Sequence, residues 1–243
     1  MRVRDHKILL ADYHFERLWK SLALLGINKP PLFTRTALED QIGELCTTNL
    51  CTKTARVRLS LSAGNGGLYD GSDKLNYSIE AWPLEQVQGI NANGLVIGLF
   101  DQHRKLADPF ANLKASSFLP YALAAKFATA NKWNDAFLLN QYGRVTDTTI
   151  ANIFILKGDQ IKTVPLSEGC VDGVMRRFIL EKLPGWGFKC LEEPVSVESL
   201  LQADEVFLSN VIREIRWVAI FQDKKYGSRI TKRIAELLHP AIS

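Results

Sequence analysis

The sequence predicts an α+β fold divided into two domains, on three observations. Up to about Asp101, helical patterns come first and several strand patterns follow. Residues 103–113 are polar and irregular around Pro109 and read as an interdomain linker. Beyond them, short apolar and β-branched runs dominate, with single helical patterns between them. The expected organisation is an N-terminal α+β domain over 1–101, a linker over 102–113 and a C-terminal domain over 114–243.

The elements follow in order. Residues 1–4 and 8–10 read as a strand pair about a turn at Asp5-His6-Lys7. A helix is expected over 12–26, where Phe15, Leu18, Trp19, Leu22 and Leu25 recur at helical spacing and Asp12 can cap. A second, over 36–50, carries Leu38, Ile42 and Leu45, with Thr36 and Glu39 fitting a capping box. Residues 54–62 alternate as a strand, with Ala55, Val57, Leu59 and Leu61 on one side and Arg56, Arg58, Ser60 and Ser62 on the other. Gly64-Asn65-Gly66-Gly67 is a flexible loop, and 78–84 and 95–100 are further strands. A helix over 116–131 carries Leu119, Leu123, Phe127 and Ala130, and 135–139 is a buried strand. Towards the end come a strand over 189–194, a short helix over 197–203, a buried strand over 206–208 that ends at Ser209-Asn210, a strand over 215–220 and an amphipathic helix over 228–238.

Composition narrows the classes. The 243 residues are 47% hydrophobic and 23% charged, ample for a core. The net charge of +4 is mild and the basic residues are scattered, so no nucleic-acid surface is expected. No apolar run approaches the roughly 20 residues of a membrane span, and no signal peptide precedes the first periodic segment. The four cysteines lack CxxC spacing and no histidines cluster beside them. Reduced thiols in the cytoplasm, and no metal site, are therefore expected.

The chain is organised around none of these helices but around residues 142–177. Strands are expected over 145–150 and 152–156, with a turn at Gly158-Asp159 and a return strand over 161–164. Residues 169–173 break the pattern, and Val174 opens a helix with Met175, Phe178, Ile179 and Leu183 on one face. A glycine-containing turn entering a helix presents free backbone N–H groups and a positive dipole end, which suits a phosphate. Asp147, on the strand before it, can face the same space. A phosphorylated pyridine cofactor would need that pairing of anion cradle and carboxylate. An ordinary hairpin and crossover accounts for the same residues and, from this stretch alone, is the simpler reading. Arg17, displaced from the apolar face of the first helix, is either solvated or an anion ligand. Lys114, just before a helix, gains chemical meaning only if it is drawn into a pocket.

Taken together, five pieces decide the matter. They are Tyr13-His14-Phe15-Glu16-Arg17-Leu18; Lys114; Gly143-Arg144-Val145-Thr146-Asp147 with Asn152-Ile153-Phe154; Gly173-Val174-Met175-Arg176; and Ala203-Asp204-Glu205-Val206-Phe207-Leu208-Ser209-Asn210. In this order, across nearly the whole chain, they resemble the fold-type IV, class IV aminotransferase family of pyridoxal-phosphate enzymes, most closely its 4-amino-4-deoxychorismate lyases. The resemblance implies a D-amino acid aminotransferase-like fold, with a small N-terminal α/β domain and a larger, β-rich C-terminal domain. It implies pyridoxal 5′-phosphate in the cleft between the domains, and a homodimer whose partner loop helps close the site. Lys114 matches the lysine that bonds covalently to the cofactor and later moves protons. Arg17 matches the phosphate-binding arginine, the backbone of Val174 and Met175 a second phosphate ligand, and Ser209, with Asn210 beside it, a hydroxyl ligand. Asp147 stands against the pyridine nitrogen, where a carboxylate favours the protonated ring.

The departures matter for substrate. Asp147 replaces the usual Glu and, being one methylene shorter, must come closer or work through water. Branched-chain aminotransferases carry a Tyr a few positions after the lysine; Phe118 and Leu119 offer no hydroxyl there, which points away from that subgroup. Residues 206–210 with 215–218 look more like the lyases, although the glycine run over 62–69 lacks that group's arginines. The family's opening strand and turn are not seen ahead of Met1. The expected reaction is therefore conversion of 4-amino-4-deoxychorismate to 4-aminobenzoate and pyruvate, for folate synthesis. The alternatives are amino transfer from a small amino acid and a degenerate member without turnover. Arg56, Arg58, Arg213 and Arg216 are candidates for a substrate carboxylate, and His14 and His103 are expected at the surface or in hydrogen bonds.

Overall fold

Asp5 and His6 both take positive φ (46° and 63°) and form a two-residue turn that folds β1 (Arg2–Arg4) back on β2 (Lys7–Ile8). The computed structural model describes residues 1–51, 53–65, 74–85, 89–116 and 118–242. It divides into two compact units, Met1–Val87 and Gln88–Ser243. Of the expected glycine run, Gly66 and Gly67, with Leu68 and Tyr69 after them, lie outside the described residues.

The first unit holds α1 (Ala11–Leu24), α2 (Arg35–Thr48), β3 (Thr54–Ala63) and β4 (Leu75–Pro83), with the antiparallel sheet order β2-β1-β3-β4. Val3, Ile42, Cys46, Ala55 and Val57 form one core cluster, and Phe15, Leu22, Phe33 and Leu38 another. Both expected caps differ. α1 begins after Leu10, in the left-handed region, while Asp12 sits in the first turn and pairs with Arg35 at 2.5 Å. α2 is capped by Thr34, not Thr36, because Thr34 is extended and its Oγ1 accepts from the Ala37 N–H at 3.2 Å. His14 is buried rather than at the surface, and that burial, ahead of its cationic neighbours, pushes its pKa well below the usual imidazole range.

The second unit is built on one mixed sheet. Its strands are β5 (Leu95–Lys105), β6 (Asp135–Asn140), β7 (Val145–Thr148), β8 (Asn152–Lys157), β9 (Gln160–Thr163), β10 (Lys189–Glu192), β11 (Glu205–Asn210) and β12 (Glu214–Phe221), with β13 (Lys224–Lys225) paired to β12. The spatial order is β10-β9-β8-β11-β12-β5-β6-β7. Helices α3 (Leu119–Ala130), α4 (Val174–Lys182), α5 (Val197–Gln202) and α6 (Arg229–Ala241) complete it. Most expected elements are present with ends shifted by a few residues. Two differ more. Residues 102–105 are strand rather than linker: Phe100 pairs with Leu138 but Arg104 with Leu139, so a bulge absorbs the exposed polar residues between them. α3 starts at Leu119, not at residue 116, because Pro120 presets the first helical turn.

One face of this sheet buries Phe137, Leu139, Val145, Ile153, Val206 and Leu208 in a common cluster. On β8 and β11 the alternate residues face the other way. Phe154 and Phe207, paired in register, stack there at 4.7 Å and 4°, a contact worth about 0.5–1.5 kcal/mol beyond its area. α4 buries Val174, Met175, Phe178 and Ile179, as the sequence predicts. Among the described residues no helix is long and apolar enough to cross a membrane.

Candidate active site

The β5 bulge, the start of α3 and a register shift between β6 and β7 bring three polar side chains together inside the second unit. They are Lys105 from the end of β5, Tyr121 from α3 and Asp147 from β7. Asp147 is 2% exposed and Lys105 7%. Lys105 Nζ lies 3.1 Å from both carboxylate oxygens of Asp147, donates to the Gly169 carbonyl at 2.9 Å and also contacts the Tyr121 hydroxyl. Tyr121 donates to Asp147 Oδ2 at 2.9 Å, and Thr146 Oγ1 donates to Oδ1 at 2.8 Å. Burial first, then the Asp147 charge, pushes the Tyr121 pKa far above its usual value, so the hydroxyl stays neutral.

Val171 links this cluster to α4. Its N–H donates to Asp147 Oδ2 at 3.1 Å, and its carbonyl accepts from Asn152 Nδ2 at 2.8 Å. Asn152 Oδ1 in turn lies against Gly173, where a Cβ would approach it to 1.9 Å, so only glycine fits at the start of α4. Gly173 is the N-cap and supplies no side-chain cap, which leaves the first turn of N–H groups, Val174 and Met175 included, for another acceptor. Val174 is the third residue after Val171, so the carboxylate's partner and the helix start lie within about 10 Å. Ser209 pairs in register with Asn152 across β8 and β11 and so shares its face. Its Oγ is buried with no hydrogen-bond partner among the described residues.

The remaining expected residues are placed as follows. Lys114 is exposed, but its segment is anchored at the cluster. Asn112 Nδ2 donates to the carbonyls of Leu166 (2.9 Å) and Cys170 (2.7 Å), and the Asp172 N–H donates to the Asn112 carbonyl at 2.9 Å. Asn210 spends its Oδ1 on the N–H groups of Ile212 and Arg213, closing the turn from β11 to β12. Arg17 belongs to the first unit, half-buried on α1. Close by in sequence to Asp147, Arg144 grips the buried Glu168 at 2.5 and 2.8 Å. The guanidinium holds that carboxyl below the usual carboxylate range.

Lys105, Tyr121, Asn152 and Val171 were not singled out as site residues by the sequence reading. Lys105 was hidden in a polar stretch that resembles a linker. Tyr121 was findable: it shares a helical phase with Ala124 and Ala128, both buried on the sheet side of α3.

Comparison with known proteins gives the family and the fold. The chain is 28% identical over 250 residues to a Methanocaldococcus jannaschii protein carrying a provisional branched-chain-amino-acid aminotransferase assignment, covering 97% of this chain and 83% of the relative. It is 28% identical over 231 residues to the aminodeoxychorismate lyase of Bacillus subtilis, covering 90% and 75%. The crystal structure of the Escherichia coli branched-chain amino acid aminotransferase superposes with a TM-score of 0.87 at 20% identity, covering 100% of this chain and 83% of that one, which establishes the shared fold-type IV architecture. The family model for amino-transferase class IV matches residues 1–221, and the chain belongs to that family of pyridoxal-phosphate-dependent enzymes.

Proposed function

We propose that this enzyme is a lyase that converts 4-amino-4-deoxychorismate to 4-aminobenzoate and pyruvate, a step of folate synthesis. The observation that carries its cofactor chemistry is the linked series Asp147, Val171, Asn152, Gly173 and Ser209, which connects a buried carboxylate to an uncapped helix start and a partnerless hydroxyl. These residues suit pyridoxal 5′-phosphate. The partnerless Ser209 hydroxyl is matched to a phosphate oxygen, and the glycine start of α4 leaves its N–H groups and dipole to the same anion. Arg17 would add a guanidinium fork. Asp147 would face the ring nitrogen, and Asn210 would hold the strand end that carries Ser209.

When bound, the cofactor supplies an electron sink for charge developing at the amine-bearing carbon of the substrate. Lys114 would hold the covalent link and, once released, take the proton from that carbon with its neutral amine. The bond from the neighbouring carbon to the enolpyruvyl oxygen then breaks, and its electron pair leaves with the oxygen. Lys114 returns the proton to the methylene carbon of the departing group, giving pyruvate and leaving 4-aminobenzoate. Leu106, Phe110, Phe118 and Leu119 flank Lys114 in sequence and are all more than half exposed. A second copy of the chain covering them would take Lys114 out of water, so the working form is a homodimer.

The lyase reading is supported by the Bacillus subtilis relative and by residues 206–218. Amino transfer from a small amino acid is the second reading, supported by the equally similar Methanocaldococcus jannaschii relative. The test is product analysis of the cofactor-loaded protein. Pyruvate released from 4-amino-4-deoxychorismate without a keto acid supports the lyase, and keto-acid-dependent amino transfer without pyruvate release refutes it. Borohydride trapping followed by peptide mapping should mark Lys114, and Lys114→Ala should abolish the mark.

A further inference from the structure

Asp147 is surrounded by more donors than a carboxylate can hold and still accept another. Oδ1 accepts from Thr146 Oγ1 at 2.8 Å and Lys105 Nζ at 3.1 Å. Oδ2 accepts from Tyr121 at 2.9 Å, from the Val171 N–H at 3.1 Å and from Lys105 Nζ at 3.1 Å. An ionised carboxylate offers about four lone-pair sites. A ring N–H can therefore reach Asp147 only if one donor gives way.

The donors are not equally able to do so. The Val171 N–H is fixed by a backbone whose carbonyl is held by Asn152. Thr146 is the adjacent residue on the same strand, with a buried hydroxyl. Tyr121 is held between Lys105 and the carboxylate. Lys105 alone spans both oxygens, and on releasing one it keeps the other, the Gly169 carbonyl and the Tyr121 hydroxyl.

Charge leads to the same residue. Both members of the pair are buried, and the ammonium is the counter-charge that makes a buried carboxylate tolerable. A protonated ring nitrogen would be a second cation on one carboxylate, so the two compete. Nor can Lys105 serve as the covalent lysine while it stays there. The cofactor's aldehyde carbon lies across the ring from its nitrogen, and an amine bound to the nitrogen's partner is at the wrong end.

We propose that Lys105 is a positioning residue, which orients and neutralises Asp147 in the free protein and yields one carboxylate oxygen to the cofactor's ring nitrogen on binding. This rests on the proposed contact between Asp147 and the ring. It makes the nitrogen-dependent part of cofactor binding smaller than a bare carboxylate would allow.

The experiment compares pyridoxal 5′-phosphate with its 1-deaza analogue, which has carbon in place of the ring nitrogen. Each is titrated by absorbance into the wild type, Lys105→Met and Lys105→Arg. The ratio of the two dissociation constants (analogue over cofactor) should rise at least about fivefold in Lys105→Met, the size of one net hydrogen bond, and stay near the wild-type value in Lys105→Arg. A merely structural loss would weaken both ligands alike, so an unchanged ratio in Lys105→Met overturns the proposal. A wild-type ratio near one would instead overturn the Asp147–ring contact, and wild-type binding of neither ligand would overturn the cofactor site. Should Lys105→Met fail to fold, Lys105→Met with Asp147→Asn, which removes both charges, should restore a cooperative melt. Failure of that pair to fold better than Lys105→Met overturns the counter-charge role.

Discussion

Ser209→Ala should change stability and cofactor affinity in opposite directions. Ser209 is 1% exposed and its Oγ has no partner among the described residues. An unsatisfied buried polar group costs about 1–3 kcal/mol, so removing the hydroxyl should leave the cofactor-free protein as stable or more stable. For a chain of this length each kcal/mol is about 2–4 °C in Tm, so the cofactor-free melt should stay level or rise by up to about 10 °C. The same hydroxyl would donate to a phosphate anion, and hydrogen bonds to charged groups are worth about 1.5–3 kcal/mol. Cofactor affinity should therefore fall about ten- to 150-fold. Thermal melts without cofactor and across a cofactor series, with fluorescence titration for the dissociation constant, read both quantities. A lower cofactor-free Tm together with unchanged affinity would refute the reasoning, because it would mean that the hydroxyl bonds within the protein and not to phosphate.

Three further outcomes are expected. Gly173→Ala has no backbone strain to meet at φ −73°, but its Cβ would fall 1.9 Å from Asn152 Oδ1; it should cost about 1–3 kcal/mol by overpacking and weaken cofactor binding, and a wild-type melt would refute the close approach. Arg144 lowers the folded-state pKa of Glu168 beneath its ordinary 4.5, so the pair's stabilisation is present above about pH 4.5 and is lost as pH falls through the lower folded value. Urea unfolding of the wild type and Arg144→Met should show a stability gap at pH 7 that narrows in acid, and a pH-independent gap would refute the pairing. Burial pushes the Cys170 thiol up to about 12, so iodoacetamide at pH 8 should label it in urea but not in the folded protein; rapid labelling of the fold would contradict that burial.

Much of this site was legible before any coordinates. The α4 phase of Val174, Met175, Phe178 and Ile179 follows from helical periodicity, and the glycine-containing turn before it was legible as a helix start with free N–H groups, whereas the close approach of Asn152 to Gly173 was not. The strands that carry Asp147 and Ser209 could be read as short runs of apolar and β-branched residues, because both of their faces are buried. Lys105 was not legible. A lysine at the end of a polar stretch carries no sign of burial, and here it is buried only because a bulge in β5 absorbs its polar neighbours and sets it opposite Asn140.

By itself, the sequence determined the α+β class and the elements, since periodicity and turn chemistry act over a few residues, and the resemblance of its motifs to a known family implied the cofactor. The tertiary structure alone decided which groups meet. Lys105 and Asp147 are 42 residues apart, and Asn152 and Val171 are 19. Contacts across such separations depend on sheet order, bulges and register, which no local pattern encodes, and so the partners of the central carboxylate emerged only when the strands were assembled.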